Sequence, residues 1–186
     1  MDAVAKGILA GYPKGVADEL ILPGLDDVRA AAERLANRAH RTPVLTCSAL
    51  DSMAGASLFF KCENFQKTGA FKFRGATNAV ELLREPECGV ATHSSGNHGA
   101  ALAAAAKARG IPAHIVVPEN AIAVKLAAVG HYGGQMVLCE PTLEARETTL
   151  ERVVKETGAV FVPPFDHPHI IAGQGTVALE LIEEVD

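Results

Sequence analysis

The chain has no tryptophan among its 186 residues, and only two tyrosines and seven phenylalanines. Aromatic platforms on which nucleobases stack are therefore not expected. An excess of positive charge is missing too: 17 Lys and Arg stand against 22 Asp and Glu, a net charge of −5, so no basic footprint points to nucleic acid. No apolar run approaches the roughly 18 residues that a membrane helix needs. The start, MDAVAKGILAGYPKG, has one early lysine and a short apolar patch broken by Gly and Pro, a poor signal peptide. The four cysteines, Cys47, Cys62, Cys88 and Cys139, show no CxxC pairing. They are expected as free, mostly buried thiols in a reducing cytoplasm. What is there, 48% hydrophobic and 21% charged residues, is ordinary globular composition. The length suits one good core, or a small domain plus part of another.

Residues 1–24 carry Gly and Pro without a clear period and read as an arm. From Asp26 a helix is expected, capped by Asp26 or Asp27, with Val28, Ala32, Leu35 and Ala39 on one face and Thr42-Pro43 as its stop. SLFFKC, Ser57 to Cys62, reads as a strand. Gly69 turns the chain, and Ala70 to Leu83 is helix-compatible. A regular alternation follows. Strands are expected at Gly89–Ser94, Ala113–Pro118, Gln135–Cys139 and Ala159–Pro163. Helices are expected at Asn97–Arg109, closed by Gly110, and at Ala121–Val129. A third, capped by Thr142 and ended by Gly158, should face Leu143, Leu150 and Val154 inward. A last helix covers about Ile170 to Glu184. Apolar strands alternating with helices indicate an α/β fold: a parallel sheet covered on both faces. The expected organisation is an arm over 1–24, the first part of a larger domain over 25–87, a small four-stranded α/β domain over 88–164, and the start of a second part of the larger domain over 165–186.

Two stretches carry chemistry. In KCENFQKTGAFKFRGA, Lys72 stands between Phe71 and Phe73, next to Ala70. Apolar surroundings disfavour the ammonium form and make a lysine amine a better nucleophile at neutral pH. A surface lysine on a helix has the same local pattern, and Lys61, Lys67 and Arg74 lie close by, so the motif alone does not single out Lys72. In SSGNHGAALAAAAKARG, a Ser-Gly-Asn-His-Gly turn joins an apolar strand to an alanine-rich helix. Free N–H groups at such a helix start form an anion site, here at the carboxyl end of a parallel strand. Gly96 is expected to take a conformation that other residues resist. Ser94, Ser95 and Asn97 add side-chain hydrogen bonders. A capped helix start without a ligand is the plainer reading, and the loop lacks a P-loop lysine and a GxGxxG pattern. His98 fits a backbone role in the cup better than a general-base role. Two imidazoles across one proline, His167 and His169, suit a loop better than a metal pair.

Taken together, ENFQKTGAFKFRGA and SSGNHGAALA resemble the fold-type II pyridoxal-phosphate enzymes, in the serine racemase and serine/threonine dehydratase branch. The resemblance runs from about Leu25 to Val185 and includes RTPVL, IPAHIVVPENA and AGQGTVALEL. It implies a three-layer parallel sheet like that of the tryptophan synthase beta chain, with the small domain complete and the large one incomplete. It implies pyridoxal 5'-phosphate as cofactor, held as a Schiff base on Lys72, with Phe71 beside it and Asn97 on its phenolic oxygen. It implies that Ser94, Ser95, Gly96, Asn97 and His98 grip the substrate carboxylate. Ser95 is implied as the acid/base opposite Lys72, and Arg146 as lining the substrate pocket. The implied activity is β-elimination of L-serine or L-threonine to a 2-oxo acid and ammonia, with room for racemisation beside it. Arg146 leaves room for an acidic substrate such as 3-hydroxyaspartate. A homodimeric cytoplasmic enzyme acting on a small amino acid is implied, with no nucleic-acid or membrane partner.

There are departures from the family pattern. Position 70 is Ala where many relatives have Ser. Position 100 is Ala where the animal racemase branch has Gln near its nucleotide site, although Tyr132 matches a tyrosine there. Family members run on past this length, and supply a glycine-rich phosphate loop, a partner for the pyridine nitrogen and, in some branches, acidic ligands for a divalent metal. No metal ligand is expected within the 186 residues. The alternative expectation is a truncated, inactive chain acting only as a folded α/β or dimer-partner module.

Overall fold

The computed structural model of the protein describes residues 22–185, so the expected arm lies almost wholly outside the described residues. Helix α1 (Leu25–Leu35) comes first. Gly24 caps it, and its N–H donates to the Asp27 carboxylate at 2.8 Å, so the acidic residue works from inside the first turn rather than as the cap itself. Strands β1 (Val44–Leu45) and β2 (Phe60–Lys61) pair antiparallel around helix α2 (Ser48–Ala54). The strand expected over Ser57–Cys62 shrinks to two residues because β1, which sequence reasoning missed, offers only two partners. Two single-turn 3₁₀ segments, Glu63–Phe65 and Lys67–Gly69, lead into helix α3 (Lys72–Glu81).

The alternation then unfolds as the pattern predicts. Strands β3 (Val90–His93), β4 (Ala113–Pro118), β5 (Gln135–Cys139) and β6 (Val160–Phe161) form one parallel sheet in the order β5-β4-β3-β6. Helices α4 (Asn97–Arg109), α5 (Ala123–His131), α6 (Leu143–Thr157) and α7 (Pro168–Glu184) connect and follow the strands. Gly110 and Gly158 close α4 and α6 in the left-handed conformation. Thr142 caps α6 by accepting the Ala145 N–H at 3.1 Å. The chain builds outward from β3 to β4 and β5, then returns to place β6 on the other side of β3. The carboxyl end of β3 is thus the switch point of the sheet, the place where open α/β sheets bind ligands.

Two apolar cores sandwich this sheet. One joins α3, α4 and the sheet through Phe73, Val80, Leu102 and Ile115. The other joins α6 to the opposite face through Val116, Leu150, Val153 and Phe161. Helix α4 is buried on most sides, and its run of alanines lets α3 and the sheet approach it from both flanks. Some expected core positions are not core. Leu143 is 63% exposed in the first turn of α6, and Leu150 and Val153 take the inward places. Met136 and Leu138 on the edge strand β5 are exposed as well, so cover on that side is incomplete. Of the cysteines only Cys139 is buried; all four are free and Cys88 is exposed.

Helix α7 does not hang free after the sheet. It packs along α1 and α3. Its crossing with α3 is close because both helices present glycine: a Cβ on Gly173 would lie 2.6 Å from the Cα of Gly75 and 2.9 Å from the Arg74 carbonyl oxygen. Those obstacles are backbone and cannot swing away. Gly173→Ala should therefore lower stability by about 1–3 kcal/mol, the usual range for overpacking. Urea unfolding of the variant checks it; an unchanged midpoint would mean that the two helices can part without loss.

Candidate active site

Lys72 opens α3, and its Nζ donates to the Pro164 carbonyl oxygen at 2.6 Å. Burial lowers its pKa below the ordinary lysine value. The neighbouring lysines are held differently. Lys61 Nζ sits 2.9 Å from Glu180 and 3.1 Å from Glu184, and Lys67 lies over the Phe73 ring at 5.6 Å. Lys61 Nζ also donates to the Thr42 carbonyl oxygen, at 2.7 Å, but it is neutralised by those two carboxylates; Lys72 is held by a neutral acceptor with no carboxylate against it. The two phenylalanines do not share the task that the sequence suggested. Phe71 is 42% exposed, with its ring centroid 5.4 Å from the Lys72 amine, whereas Phe73 is buried in the core.

The turns on either side of this amine are unusual. Thr68, in the turn before α3, has φ 63°, and Asp166, just after Pro164, has φ 52°. A β-branched residue there is strained by roughly 1–3 kcal/mol. The Thr68 hydroxyl is also buried without a partner.

The start of α4 lies near enough for the Lys72 charge to act on its His98. The Ser94 hydroxyl accepts the N–H groups of Gly96 at 3.3 Å and Gly99 at 3.1 Å. The amides of Asn97 and His98, in the first turn, donate to no acceptor among the described residues. That leaves a small cup of N–H groups at the positive end of a helix. Gly96 itself corrects the sequence reading: its φ of −138° is ordinary extended backbone, and a Cβ there would meet open space. The glycine that packing requires is Gly99, where a Cβ would lie 2.8 Å from the Ser94 carbonyl oxygen. Ser94 and Ser95 are half-buried and Asn97 is exposed at the mouth of the turn.

His98 turns its ring inward. Nε2 lies 3.1 Å from the Val162 carbonyl oxygen, so that nitrogen carries the hydrogen and donates it. Nδ1 is buried without a partner. Burial pushes the pKa down to about 4 against the pull of the Val162 carbonyl, and the Lys72 charge lowers it further. The imidazole is therefore neutral at pH 7.

Sequence reasoning missed His93. It ends β3 at the switch point, its ring stacks on Phe161 at 6.2 Å between centroids, and burial lowers its pKa. Arg146 acts on this imidazole from α6, on the other layer, and lowers its pKa, while Glu147 opposes it. The Arg146 Nε is buried and unpartnered. The signal available in the sequence was position alone, since His93 immediately precedes the Ser-Ser-Gly turn. His167 lies in the loop as expected, as the buried cap of α7 with Nδ1 accepting the His169 N–H at 3.2 Å, whereas His169 falls inside the first turn of the helix. Among the described residues no group of three or more His, Cys, Asp or Glu side chains could hold a metal ion, and no helix is long and apolar enough to cross a membrane.

The donor set suits a cofactor that carries both a carbonyl and an anionic partner. It offers a partly desolvated amine held by a neutral carbonyl, unfilled helix-start amides at the turn on which its charge acts, and open space above Gly96. Comparisons with known proteins agree. A family model described as "Pyridoxal-phosphate dependent enzyme" matches residues 35–186. A serine racemase of Oryza sativa subsp. indica is 52% identical over 163 residues, 87% of this chain and 48% of the relative. A beta-hydroxyaspartate dehydratase of Paracoccus denitrificans (strain Pd 1222) is 50% identical over 169 residues, 90% of this chain and 54% of the relative. Among solved structures, maize serine racemase superposes with a TM-score of 0.86 at 52% identity, covering 88% of this chain and 50% of the other. A threonine deaminase from T.th. superposes at 0.82 with 42% identity, covering 87% and 52%. The chain spans about half the length of the curated relatives it matches.

The neutral histidines set a pH dependence. Both His98 and His167 have pKa values of about 4, lowered chiefly by burial. An unfolded histidine titrates near 6.5, so between these values the unfolded state binds more protons and stability falls as pH drops. Urea unfolding between pH 7.5 and 5 should show this loss. His98→Gln should reduce its slope by about one proton, or about 1.4 kcal/mol per pH unit. An unchanged slope would mean that the imidazole is not held neutral.

Proposed function

Because the chain belongs to the pyridoxal-phosphate dependent enzyme family, we propose that it carries the lysine and carboxylate-binding half of an enzyme acting on hydroxy amino acids, by β-elimination with ammonia release and by racemisation. The observation that carries this reading is the setting of Lys72, partly desolvated and hydrogen-bonded to the Pro164 carbonyl, with its charge acting on His98 in the first turn of α4, whose amides stay open. Pyridoxal phosphate, when bound, supplies the electron sink for charge that develops at the substrate α-carbon. Lys72 would be the amine that holds it, with Phe71 alongside and Asn97 as the donor to its ring oxygen. With its pKa lowered, the Lys72 amine moves the α-proton on one face of the substrate. Ser95 does so on the other. The N–H groups of Asn97 and His98, with the Ser94 and Ser95 hydroxyls and the bare backbone at Gly96, bind the substrate carboxylate. The neutral His98 ring adds no charge of its own there.

Serine and threonine suit the relatives' printed activities, and the unpartnered Arg146 Nε near His93 favours a second reading, a hydroxy amino acid that bears a second carboxylate. The two faces can be told apart. Borohydride treatment of the cofactor-loaded full chain should fix the label on Lys72, and a label on Lys61 or Lys67 would overturn the assignment. Ser95→Ala should abolish interconversion of the serine enantiomers and 2-oxo acid formation from D-serine, while L-serine elimination falls less. Equal losses with both enantiomers would make Ser95 a carboxylate holder only.

A further inference from the structure

We propose that Arg74 is a positioning residue for Lys72: its buried, fully bonded guanidinium sets the rotation of α3 about its own axis, and with it the place of the Lys72 amine. This rests on the reading of Lys72 given above. Lys72 and Arg74 are two residues apart on one helix, roughly 200° around it, so they point to opposite sides. The Lys72 side faces Pro164 and α4. The Arg74 side faces α7 and the turn before α3.

On that side the guanidinium makes every bond its fork allows. Nε donates to Glu63 Oε2 at 2.9 Å, and Nη2 donates to Glu63 Oε1 at 2.9 Å. Nη1 donates to Glu180 Oε1 at 2.6 Å, and Nη2 to Glu180 Oε2 at 2.9 Å. The remaining contacts are Thr176 Oγ1 at 3.2 Å and the His40 carbonyl oxygen at 3.1 Å. Two carboxylates are thus gripped edge-on by one side chain that is 1% exposed. Both are anchored further. Thr42 Oγ1 donates to Glu63 at 2.6 Å, and Lys61 Nζ meets Glu180 at 2.9 Å. Residues 40–42, 61–63, α3 and α7 therefore converge on one planar group.

Phe73, beside Lys72, is packed in the core, but no side chain nearer to Lys72 than Arg74 holds its helix by directional hydrogen bonds. Its turn of α3 has no side-chain cap, since Phe71 holds helical angles and offers no acceptor. The chain enters through the left-handed pair Thr68 and Gly69. A helix turned by about 20° carries a side-chain end some 6 Å from its axis by about 2 Å. Misplacement on the order of 1 Å is enough to cost a reacting group a hundredfold. A planar fork with two bidentate partners resists that rotation; a lysine at the same place would keep the charge and lose the plane.

Arg74→Lys in the full chain tests this without any bound cofactor. The pH profile of Lys72 acylation, read by peptide mass spectrometry, gives the pKa of that amine, and a melting curve reports folding separately. In the variant the Lys72 amine should titrate higher, toward an ordinary lysine, as rotation lets water reach it. In the cofactor-loaded protein the borohydride label on Lys72 should fall about tenfold. A lower melting temperature with an unmoved Lys72 profile would overturn the proposal and leave Arg74 as a plain clamp between helices. Should Arg74→Lys fail to fold, Glu180→Gln loosens one side of the fork only, and is read the same way. An unmoved Lys72 profile in folded Glu180→Gln, or failure of that variant to fold as well, also overturns it. A wild-type label found on Lys61 or Lys67 would instead sink the reading of Lys72, whatever Arg74 does to its titration.

Discussion

The contact on which most of this structure depends is the near-touch of two backbones at Gly75 and Gly173. With no side chain between them, α3 and α7 approach closely enough for polar groups on each to reach the other. Arg74 reaches Glu180, the Gly75 N–H reaches the Gln174 side-chain oxygen, and the Asn78 amide reaches the His169 carbonyl oxygen. Each of these buried groups would be costly to leave unpaired. The same approach brings the chain after β6 beneath the start of α3. Val162 and Pro164 then offer their carbonyls to His98 and Lys72. A core contact between two glycines thereby becomes a statement about where an amine stands.

Electrostatics divides the region into two sides. Behind α3, positive and negative side chains are matched at close range: Arg74, Lys61 and Arg41 against Glu63, Glu180, Glu183 and Glu184. Burial alone would raise the Glu180 carboxyl, but the bonds from Arg74 and Lys61 outweigh it and hold it below the ordinary range. In front of α3 the arrangement is opposite. Lys72 has a carbonyl for a partner, His98 and His93 are pushed toward neutrality, and helix-start amides stay open. Charge is satisfied where the fold must hold and left unsatisfied where a ligand would complete it.

Much of the architecture was legible in the sequence, for local reasons. Gly110, Gly158 and Thr142 mark helix ends by chemistry that needs no tertiary partner, and α4, β4 and β5 fall within their expected bounds. The losses came where a neighbour decides. β1 and β2 are as long as their mutual pairing, and Leu143 is left exposed at the start of α6 although it shares the period of Leu150. The lysine motif and the Ser-Gly-Asn-His turn were legible because each is contiguous. Gly96 was misjudged because a glycine in a turn suggests positive φ, whereas here extended angles suffice. Arg74 beside two lysines looks like a solvated surface charge. Its partner Glu180 is 106 residues away, and no local pattern announces it.

The Ser94 hydroxyl has a consequence of its own. Two amide hydrogens, from Gly96 and Gly99, already point at its oxygen. With its lone pairs so engaged, the oxygen has no acceptor capacity left, and its own hydrogen must be directed elsewhere. The group is in effect a one-way valve for hydrogen bonding: it can give and cannot receive. A visitor to the mouth of the turn therefore meets a hydroxyl of fixed polarity, already oriented before it arrives, and a group that seeks an acceptor finds none at the Ser94 Oγ.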